Sequence, residues 1–289
     1  MKESIMKSIL KYLLTIVITA FVSVVVCLIL FDSSGLPPGY ISHEIKSQIL
    51  NENREVIVHL PESYNSSQDN YPVLYVVGGN SLTFRAVRDA GLLGRVGDIP
   101  ELIIVGIPNI SQKTRQRDLT PPILRQDLDE SDSPPGEADK YLSYIKEEVI
   151  PMIEKNYRTE NKKFIAGNSR EGLFVMYTFT SQPEMFDARF VLSPALWREN
   201  DKFVGEIKQS LETNNSIDSY LFLSLGSKEN EKMTRAFKMT ISALDEYTPN
   251  NLIWNYHYTQ DATHRNNAYL SLPVGLKRYF QQSTGDIEN

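Results

Sequence analysis

Short runs of apolar residues alternate along most of the chain with longer segments in which apolar residues recur every three or four positions. Continuous apolar runs are typical of strands covered on both faces, and the longer period is typical of amphipathic helices. Strands are predicted at 73–77, 102–105, 164–166, 190–192, 221–225 and 252–258, and helices at 82–93, 138–156, 170–180, 202–211, 231–245 and 268–280. This alternation predicts an α/β domain with a mainly parallel sheet and helices on both faces.

Three further features fall outside this alternation. Residues 42–60 hold two strand-like runs on either side of 51–53, which predicts a hairpin with its turn at those three residues. Pro151 lies inside the second predicted helix and is expected to kink it. Residues 108–137 form a long polar stretch, predicted to be a functional or disordered loop. Its acidic patch, 127–132, lacks the glycine and glutamate of a calcium-binding loop and is interpreted as a solvated face.

The first segment of the chain is apolar in a different way. A run of twenty uncharged residues, 12–31, follows Lys2, Lys7 and Lys11. At about 1.5 Å per residue, such a run spans the roughly 30 Å hydrocarbon core of a bilayer. It predicts an uncleaved signal anchor, with the lysines in the cytoplasm and the rest of the chain outside. The small residues of the Ser-Ser-Gly that follows leave a cleaved signal peptide, and thus secretion, as the alternative.

The expected organisation is a membrane anchor at 1–31, a tether at 32–40, an α/β domain at 41–282 and a polar tail at 283–289. The single cysteine, Cys27, lies in the anchor, so the exported domain has no disulfide and depends on its core. A net charge of −6 argues against a nucleic-acid surface. No pattern implies a metal, an organic cofactor or an obligate protein partner.

The end of the strand predicted at 164–166 carries the strongest chemical signal. The apolar run ends in Gly167-Asn168-Ser169, and a helix-compatible pattern follows at once. A serine on a sharp turn between a strand and a helix is a nucleophile elbow, which exposes Oγ above the sheet. The motif Gly-x-Ser-x-Gly is incomplete, because Glu171 holds the second glycine position and Gly172 comes one place later. The alternative is a polar turn whose Ser or Asn caps the helix.

An activated serine needs a base within hydrogen-bond reach, and a carboxylate usually orients that base. In α/β hydrolases the chain order is serine, acid, histidine. Of the four histidines, His257 and His264 follow Ser169. His257 lies inside the last predicted strand and is interpreted as a packed residue. His264 lies in the loop after that strand and is predicted to be the base, the alternative being an ordinary surface histidine.

The acid is expected in the loop after the strand predicted at 221–225. Glu229 is the first choice and Glu231 the second, although either fits an ordinary acidic position at a helix start. Asp261, close to the base in the chain, is a third candidate. The oxyanion hole is predicted to use the N–H of Arg170, which follows the nucleophile, and an N–H of the turn after 73–77, that of Asn80.

Several short segments together carry a resemblance to a known family: Leu60-Pro61 with Tyr64, residues 71–75, 115–121 and 150–159, the elbow itself, residues 193–197 and Thr263-His264. In this order they make residues 42–280 similar to the putative esterases of the α/β-hydrolase superfamily, which include esterase D and the enterochelin esterases. The resemblance implies an α/β-hydrolase fold. It also implies a serine ester hydrolase with Ser169 as nucleophile and His264 as base.

Three residues depart from the pattern of that family. Gly78 stands where the family has Asp before Gly, Asn168 replaces the His before the nucleophile, and Glu171 replaces a Gly. The carboxylate of Glu171 is expected either beside the oxyanion site or turned outward and paired with Arg115 or Arg117. In both cases Glu171→Gly is expected to leave kcat/KM unchanged or to raise it by up to roughly tenfold.

These features predict a membrane-anchored serine carboxylic ester hydrolase that acts outside the cytoplasmic membrane on a small-molecule ester, without a cofactor. An acyltransferase on the same triad is one alternative. A non-catalytic binding protein that keeps the fold is an alternative of another class, favoured by Gly78 and Glu171. By analogy, the predicted location suggests a siderophore or cell-wall ester as substrate.

Overall fold

The computed structural model describes residues 2–30 and 36–284. The chain divides into two compact units, Met1–Ser42 and His43–Asn289. In the first unit, helix α1 runs over Lys2–Leu30. Its segment Ser8–Val25 has a mean hydropathy of 2.1 and is long and apolar enough to cross a membrane, a test that a signal sequence also passes.

Two expectations about the chain's organisation fall partly outside the described residues. The predicted tether, 32–40, is described only from residue 36, so the small residues considered for cleavage lie outside. The predicted tail, 283–289, is described only to residue 284, where the last helix ends.

One sheet forms the centre of the second unit. Its strands in the described part of the chain are β1 (Tyr40–Ser47), β2 (Glu52–His59), β3 (Tyr71–Val77), β4 (Ile103–Ile107), β5 (Thr159–Asn168), β6 (Ala188–Leu192), β7 (Ser216–Gly226) and β8 (Asn250–Thr259). They lie in the order β1-β2-β4-β3-β5-β6-β7-β8. From β4 to β8 every neighbouring pair is parallel, whereas β2 pairs antiparallel with β4. The mainly parallel sheet predicted from the sequence is confirmed.

Helices cover both faces of this sheet because successive side chains of a strand point to opposite faces. Tyr75 of β3 belongs to one buried cluster with Phe174, and Leu74 belongs to the opposite cluster with Leu272. The helices of the described residues are α2 (Asn80–Arg95), α3 (Gln112–Asp118), α4 (Ala138–Tyr144), α5 (Ile150–Asn156), α6 (Arg170–Ser181), α7 (Arg198–Thr213), α8 (Glu231–Tyr247) and α9 (Asn267–Thr284). The first cluster includes residues of α4 to α8, and the second those of α2 and α9.

The structure differs from the sequence prediction at the hairpin. The turn lies at 48–51, before the predicted 51–53, because Glu52 and Asn53 already belong to β2. Asn51 has a φ of 54°, a left-handed conformation that asparagine adopts more readily than most residues. The prediction placed the turn at the polar residues 51–53. In the structure the turn ends at Asn51, the residue with the left-handed backbone conformation.

The helix predicted at 138–156 is interrupted. It consists of α4, a π-helical turn at Ile145–Val149, and α5, in which Pro151 lies in the first turn. Proline lacks an N–H, and its ring clashes with the carbonyl four residues earlier. In the wider turn, the N–H of Ile150 donates instead to the carbonyl of Ile145. The helical segment therefore continues through Pro151.

The stretch predicted as one long polar loop, 108–137, contains helix α3. This helix begins with a capping box, in which Ser111 and Thr114 bond each other's backbone N–H groups. Its only buried residue is Asp118, whose carboxylate accepts a hydrogen bond from Arg54 at 2.6 Å. A helix anchored by a buried ion pair, with no apolar stripe, gives no periodic signal in the sequence.

Candidate active site

All the residues predicted to act in catalysis follow the carboxyl ends of strands that run parallel to one another. In such sheets these ends meet at one edge, where ligands bind in open α/β folds. Asn80 follows β3, Ser169 and Arg170 follow β5, Glu229 follows β7, and His264 follows β8. The topology therefore brings residues that are far apart in sequence to the same edge.

Ser169 lies on a strained turn between β5 and α6. Its backbone has φ 63° and ψ −114°, a region that costs a non-glycine residue on the order of 1–3 kcal/mol. Its N–H donates to the carbonyl of Leu192 at 2.9 Å, and its own carbonyl accepts from the N–H of Ala195 at 2.9 Å. The Ser169 side chain does not cap α6, so the alternative of an ordinary capping turn does not describe this elbow.

The small residue expected after the serine lies at 172, not at 171. A Cβ added to Gly172 would lie 2.9 Å from the carbonyl oxygen of Leu192 at the end of β6. Any side chain at this position would push α6 away from the sheet, so glycine is required there. Position 171 differs, because its side chain is directed toward Arg115 and Asn109.

The ring of His264 lies between the serine and a carboxylate. Its Nε2 is 2.9 Å from Oγ of Ser169, and its Nδ1 is 2.9 Å from Oε2 of Glu229. A carboxylate beside Nδ1 favours the tautomer with the proton on Nδ1, which leaves Nε2 free to accept the serine proton. These contacts join three loops whose residues are 35 to 95 positions apart in the chain.

Glu229 is the acid that the structure places against the histidine. Its side chain is fully buried, and its Oε1 accepts hydrogen bonds from Oγ of Ser193 at 2.5 Å and from the N–H of Gly226 at 2.9 Å. Glu231 instead opens α8 as an exposed first-turn acid. Asp261 is exposed and pairs with Lys228 at 2.9 Å. Neither of the other two predicted carboxylates contacts His264 among the described residues.

A buried polar network that the sequence analysis did not identify lies behind Glu229. The amide of Asn267 donates to Oγ of Ser193 at 2.8 Å and to Oγ of Ser224 at 3.1 Å. Its Oδ1 accepts a bond from Thr259 at 2.5 Å. Ser193 was noted only as part of the family resemblance, and nothing in the local sequence marks Asn267. The network fixes the hydroxyl that holds the carboxylate in place.

The two amides predicted to form an oxyanion hole begin helices that follow adjacent strands. Asn80 is the first residue of α2 and Arg170 the first residue of α6, so neither N–H has an acceptor within its own helix. Strands β3 and β5 are adjacent, with Val76 opposite Ala166. The two helix starts therefore lie at the same edge of the sheet, after adjacent strands.

Glu171 is buried and paired with Arg115, one of the two arginines considered as its partner. Its Oε1 and Oε2 accept hydrogen bonds from Nε and Nη2 of Arg115, both at 2.6 Å. Asn109 donates to the same Oε1 at 3.0 Å. The expected pairing with Arg115 is therefore present, but the side chain does not turn outward, because only 9% of it is exposed. Arg117 instead bonds Glu52 and Asp118.

Arg170, which follows the nucleophile, has both arginine and acidic side chains around it. The guanidinium of Arg170 donates to Oγ1 of Thr120 at 2.7 Å and to the carbonyl of Gln126 at 2.9 Å. Burial, reinforced by the neighbouring cations Arg198 and Arg115, lowers the pKa of Arg170 to about 10. Arg170 therefore remains charged at neutral pH, and it ties the loop between α3 and α4 to the start of α6.

A cavity of about 170 Å³ lies beside the elbow. It is lined by the turn that follows β3, by Asn168 and Glu171, and by Ala268 and Tyr269 at the start of α9. Ser169 and His264 are not among the residues that line this cavity. Within residues 2–30 and 36–284, no group of three or more His, Cys, Asp and Glu side chains has the arrangement of a metal site.

Comparison with known proteins agrees with this geometry at the level of family and fold. The family model described as "Putative esterase" matches residues 47–271. The siderophore enterobactin esterase of Emericella nidulans is 28% identical over 188 residues, 58% of this chain and 61% of that protein. The ferri-bacillibactin esterase of Bacillus subtilis is 27% identical over 206 residues, 64% of this chain and 70% of that protein.

Solved structures show the same fold. The crystal structure of an IroE-like serine hydrolase from Shewanella oneidensis has a TM-score of 0.77 with this chain at 24% identity, covering 84% of this chain and 80% of the other. The structure of a BES protein from Bacillus cereus has a TM-score of 0.74 at 22% identity and covers 84% of this chain and 96% of the other. Both likenesses support the α/β-hydrolase architecture.

Proposed function

Because this chain belongs to the putative esterase family, whose chemistry is ester hydrolysis, we propose that it is a serine carboxylic ester hydrolase with Ser169, His264 and Glu229 as its triad. The observation that carries the proposal is the histidine ring at 2.9 Å from both the serine hydroxyl and the buried carboxylate. A strained serine, an oriented base and a buried acid form the arrangement that activates a hydroxyl nucleophile.

In the first half of the reaction, Oγ of Ser169 attacks the ester carbonyl carbon, and Nε2 of His264 takes the hydroxyl proton. Glu229 stabilises the imidazolium through the proton on Nδ1. The negative charge that develops on the carbonyl oxygen is stabilised by the N–H groups of Arg170 and Asn80. The bond to the alcohol oxygen then breaks, His264 returns the proton to that oxygen, and the acyl group remains on Ser169.

In the second half, His264 takes a proton from a water molecule, and the resulting hydroxide attacks the acyl carbon. The same two amides stabilise the oxyanion of this second tetrahedral intermediate. Its collapse breaks the bond to Ser169, whose oxygen recovers the proton from His264. The products are the carboxylic acid and the free enzyme, and no metal or redox step is needed for the balance.

The substrate class that we propose is a small-molecule ester, with siderophore esters as the first to assay. Two relatives are named for enterobactin and ferri-bacillibactin, and this chain spans 61% and 70% of their lengths.

A fluorophosphonate probe tests the proposed nucleophile directly. The full-length protein, purified in detergent, is expected to react with the probe at Ser169 and to hydrolyse short-chain p-nitrophenyl esters. Peptide mass spectrometry locates the label, and heat-denatured protein is the control. An unlabelled protein contradicts the proposal and favours the binding-protein alternative, whereas a label on another serine contradicts the assignment of Ser169 as the nucleophile.

We also propose that α1 anchors the enzyme in the cytoplasmic membrane with the hydrolase domain outside. The apolar segment Ser8–Val25 supports the span, and Lys2, Lys7 and Lys11, which lie before this segment or in its first turn, support the orientation. A reporter that is active only outside the cytoplasm is expected to be active when fused after Asn289, and the protein is expected to stay in the membrane after a high-salt wash. A mature N-terminus near residue 36 would show cleavage and overturn the anchor.

A further inference from the structure

Three loops from adjacent strands meet at the carboxylate of Glu171. Strands β4, β3 and β5 are neighbours in the sheet. Asn109 follows β4 and Arg115 lies on α3 beyond it, Gly78 follows β3, and Glu171 lies in the first turn of α6 after β5. Asn109 and Arg115 donate hydrogen bonds to the Glu171 side chain. A Cβ added to Gly78 would also touch that side chain.

The contact with Gly78 concerns the turn that carries the Asn80 amide. A Cβ added to Gly78 would lie 2.7 Å from Cγ and 2.9 Å from Oε1 of Glu171. Gly78 also has a φ of 110°, which residues with a side chain rarely adopt. The Glu171 side chain thus packs directly against the backbone of this turn, two residues before Asn80. Two of the departures from the family pattern, Gly78 and Glu171, are neighbours in space.

Arg115 determines the electrostatic effect of this carboxylate. An unpaired negative charge beside an oxyanion site opposes the charge that develops there. The bidentate bond from Arg115 and the third bond from Asn109 neutralise the carboxylate and fix its direction. Glu171 can therefore lie beside the turn without weakening the oxyanion hole.

We propose that Glu171, held by Arg115, is a positioning residue that sets the Gly78–Asn80 turn relative to the nucleophile elbow, and so sets the spacing of the two oxyanion amides. The inference rests on the proposed function, since it concerns the same site. It reverses the expectation that Glu171→Gly is neutral or activating. That expectation treated the side chain as a misfit at the elbow, whereas the structure shows it as the link between three loops.

The test compares Glu171→Ala, Glu171→Gln and Arg115→Ala in the full-length protein in detergent. Loss of one oxyanion donor costs about 10²–10³ in kcat, and a displaced donor costs part of that. We expect Glu171→Ala to lower kcat at least about tenfold with KM within about threefold, as for an interaction made only in the transition state. Affinity for a boronic acid, which forms a tetrahedral adduct on serine, is expected to fall by the same factor.

The other two variants separate shape from charge. Glu171→Gln keeps the size of the side chain and one acceptor oxygen, so it is expected to recover much of the lost kcat. Arg115→Ala leaves the carboxylate without its cation, so its kcat is expected to fall at least as far as that of Glu171→Ala. Lys113→Ala, which removes an exposed cation from the same helix, is the matched control and is expected to keep kcat within about twofold.

Two results overturn the inference. One is a Glu171→Ala enzyme with unchanged kcat and unchanged boronic-acid affinity, whatever its Tm. The other is a rise in KM alone, which would make Glu171 a substrate contact. Ser169→Ala is measured in the same assay. If Ser169→Ala is active, the proposed function fails and this inference with it. If Ser169→Ala is inactive while Glu171→Ala is fully active, only this inference fails.

Discussion

Ser169→Ala and His264→Ala are each expected to lower kcat for a simple ester by at least ~10³, because nucleophile and base act as one unit. The hydroxyl that attacks and the nitrogen that accepts its proton are 2.9 Å apart. If either residue is removed, only substrate binding and the oxyanion amides still contribute to catalysis. For the same reason the double variant is expected to be no slower than the slower single variant. Steady-state hydrolysis of p-nitrophenyl acetate measures both effects.

His257→Ala is the matched control for the histidine. His257 lies on β8 and is only partly buried, and none of the described contacts links it to Ser169 or Glu229. Its replacement is expected to leave kcat within about threefold. Thermal unfolding of each variant shows whether the fold is kept. Activity of Ser169→Ala or His264→Ala within tenfold of the parent, in a folded protein, would exclude the proposed triad.

Glu229→Ala is expected to lower kcat by about 10³–10⁴, close to the effect of removing the acid from other serine hydrolases. Without the carboxylate, the histidine ring loses its Nδ1 partner and the imidazolium loses its counter-charge. The buried hydroxyl of Ser193 and the N–H of Gly226 also lose their acceptor. Glu229→Gln keeps the shape but allows the wrong histidine tautomer, so a large loss is expected there as well.

The chain offers two matched controls for the acid. Glu231→Ala and Asp261→Ala remove the other two carboxylates predicted from the sequence, and both are exposed in the structure. Each is expected to leave kcat within about threefold. A loss at Glu231 or Asp261 that matches the loss at Glu229 would mean that the acid is supplied differently in the working enzyme.

The fold was predictable because its signals are local. A buried parallel strand must be apolar along its whole length and a covering helix apolar along one stripe, so composition and period alone mark both. The secondary-structure prediction failed where an element has no pattern of apolar residues in the sequence. Helix α3 is anchored by the buried pair of Asp118 and Arg54, and the π-turn before Pro151 depends on hydrogen bonds that no periodicity encodes.

The sequence by itself determined the α/β architecture, the apolar N-terminal segment and the positions of Ser169 and His264, because strand ends, chain order and residue type limit each of these to few choices. Only the tertiary structure decided which carboxylate faces His264, that Ser193 and Asn267 hold it, and that Glu171 joins three loops through Arg115. The physical reason is that these contacts join loops tens of residues apart in the chain. Their distances depend on how each loop folds over the sheet edge, which residue spacing along the chain does not specify.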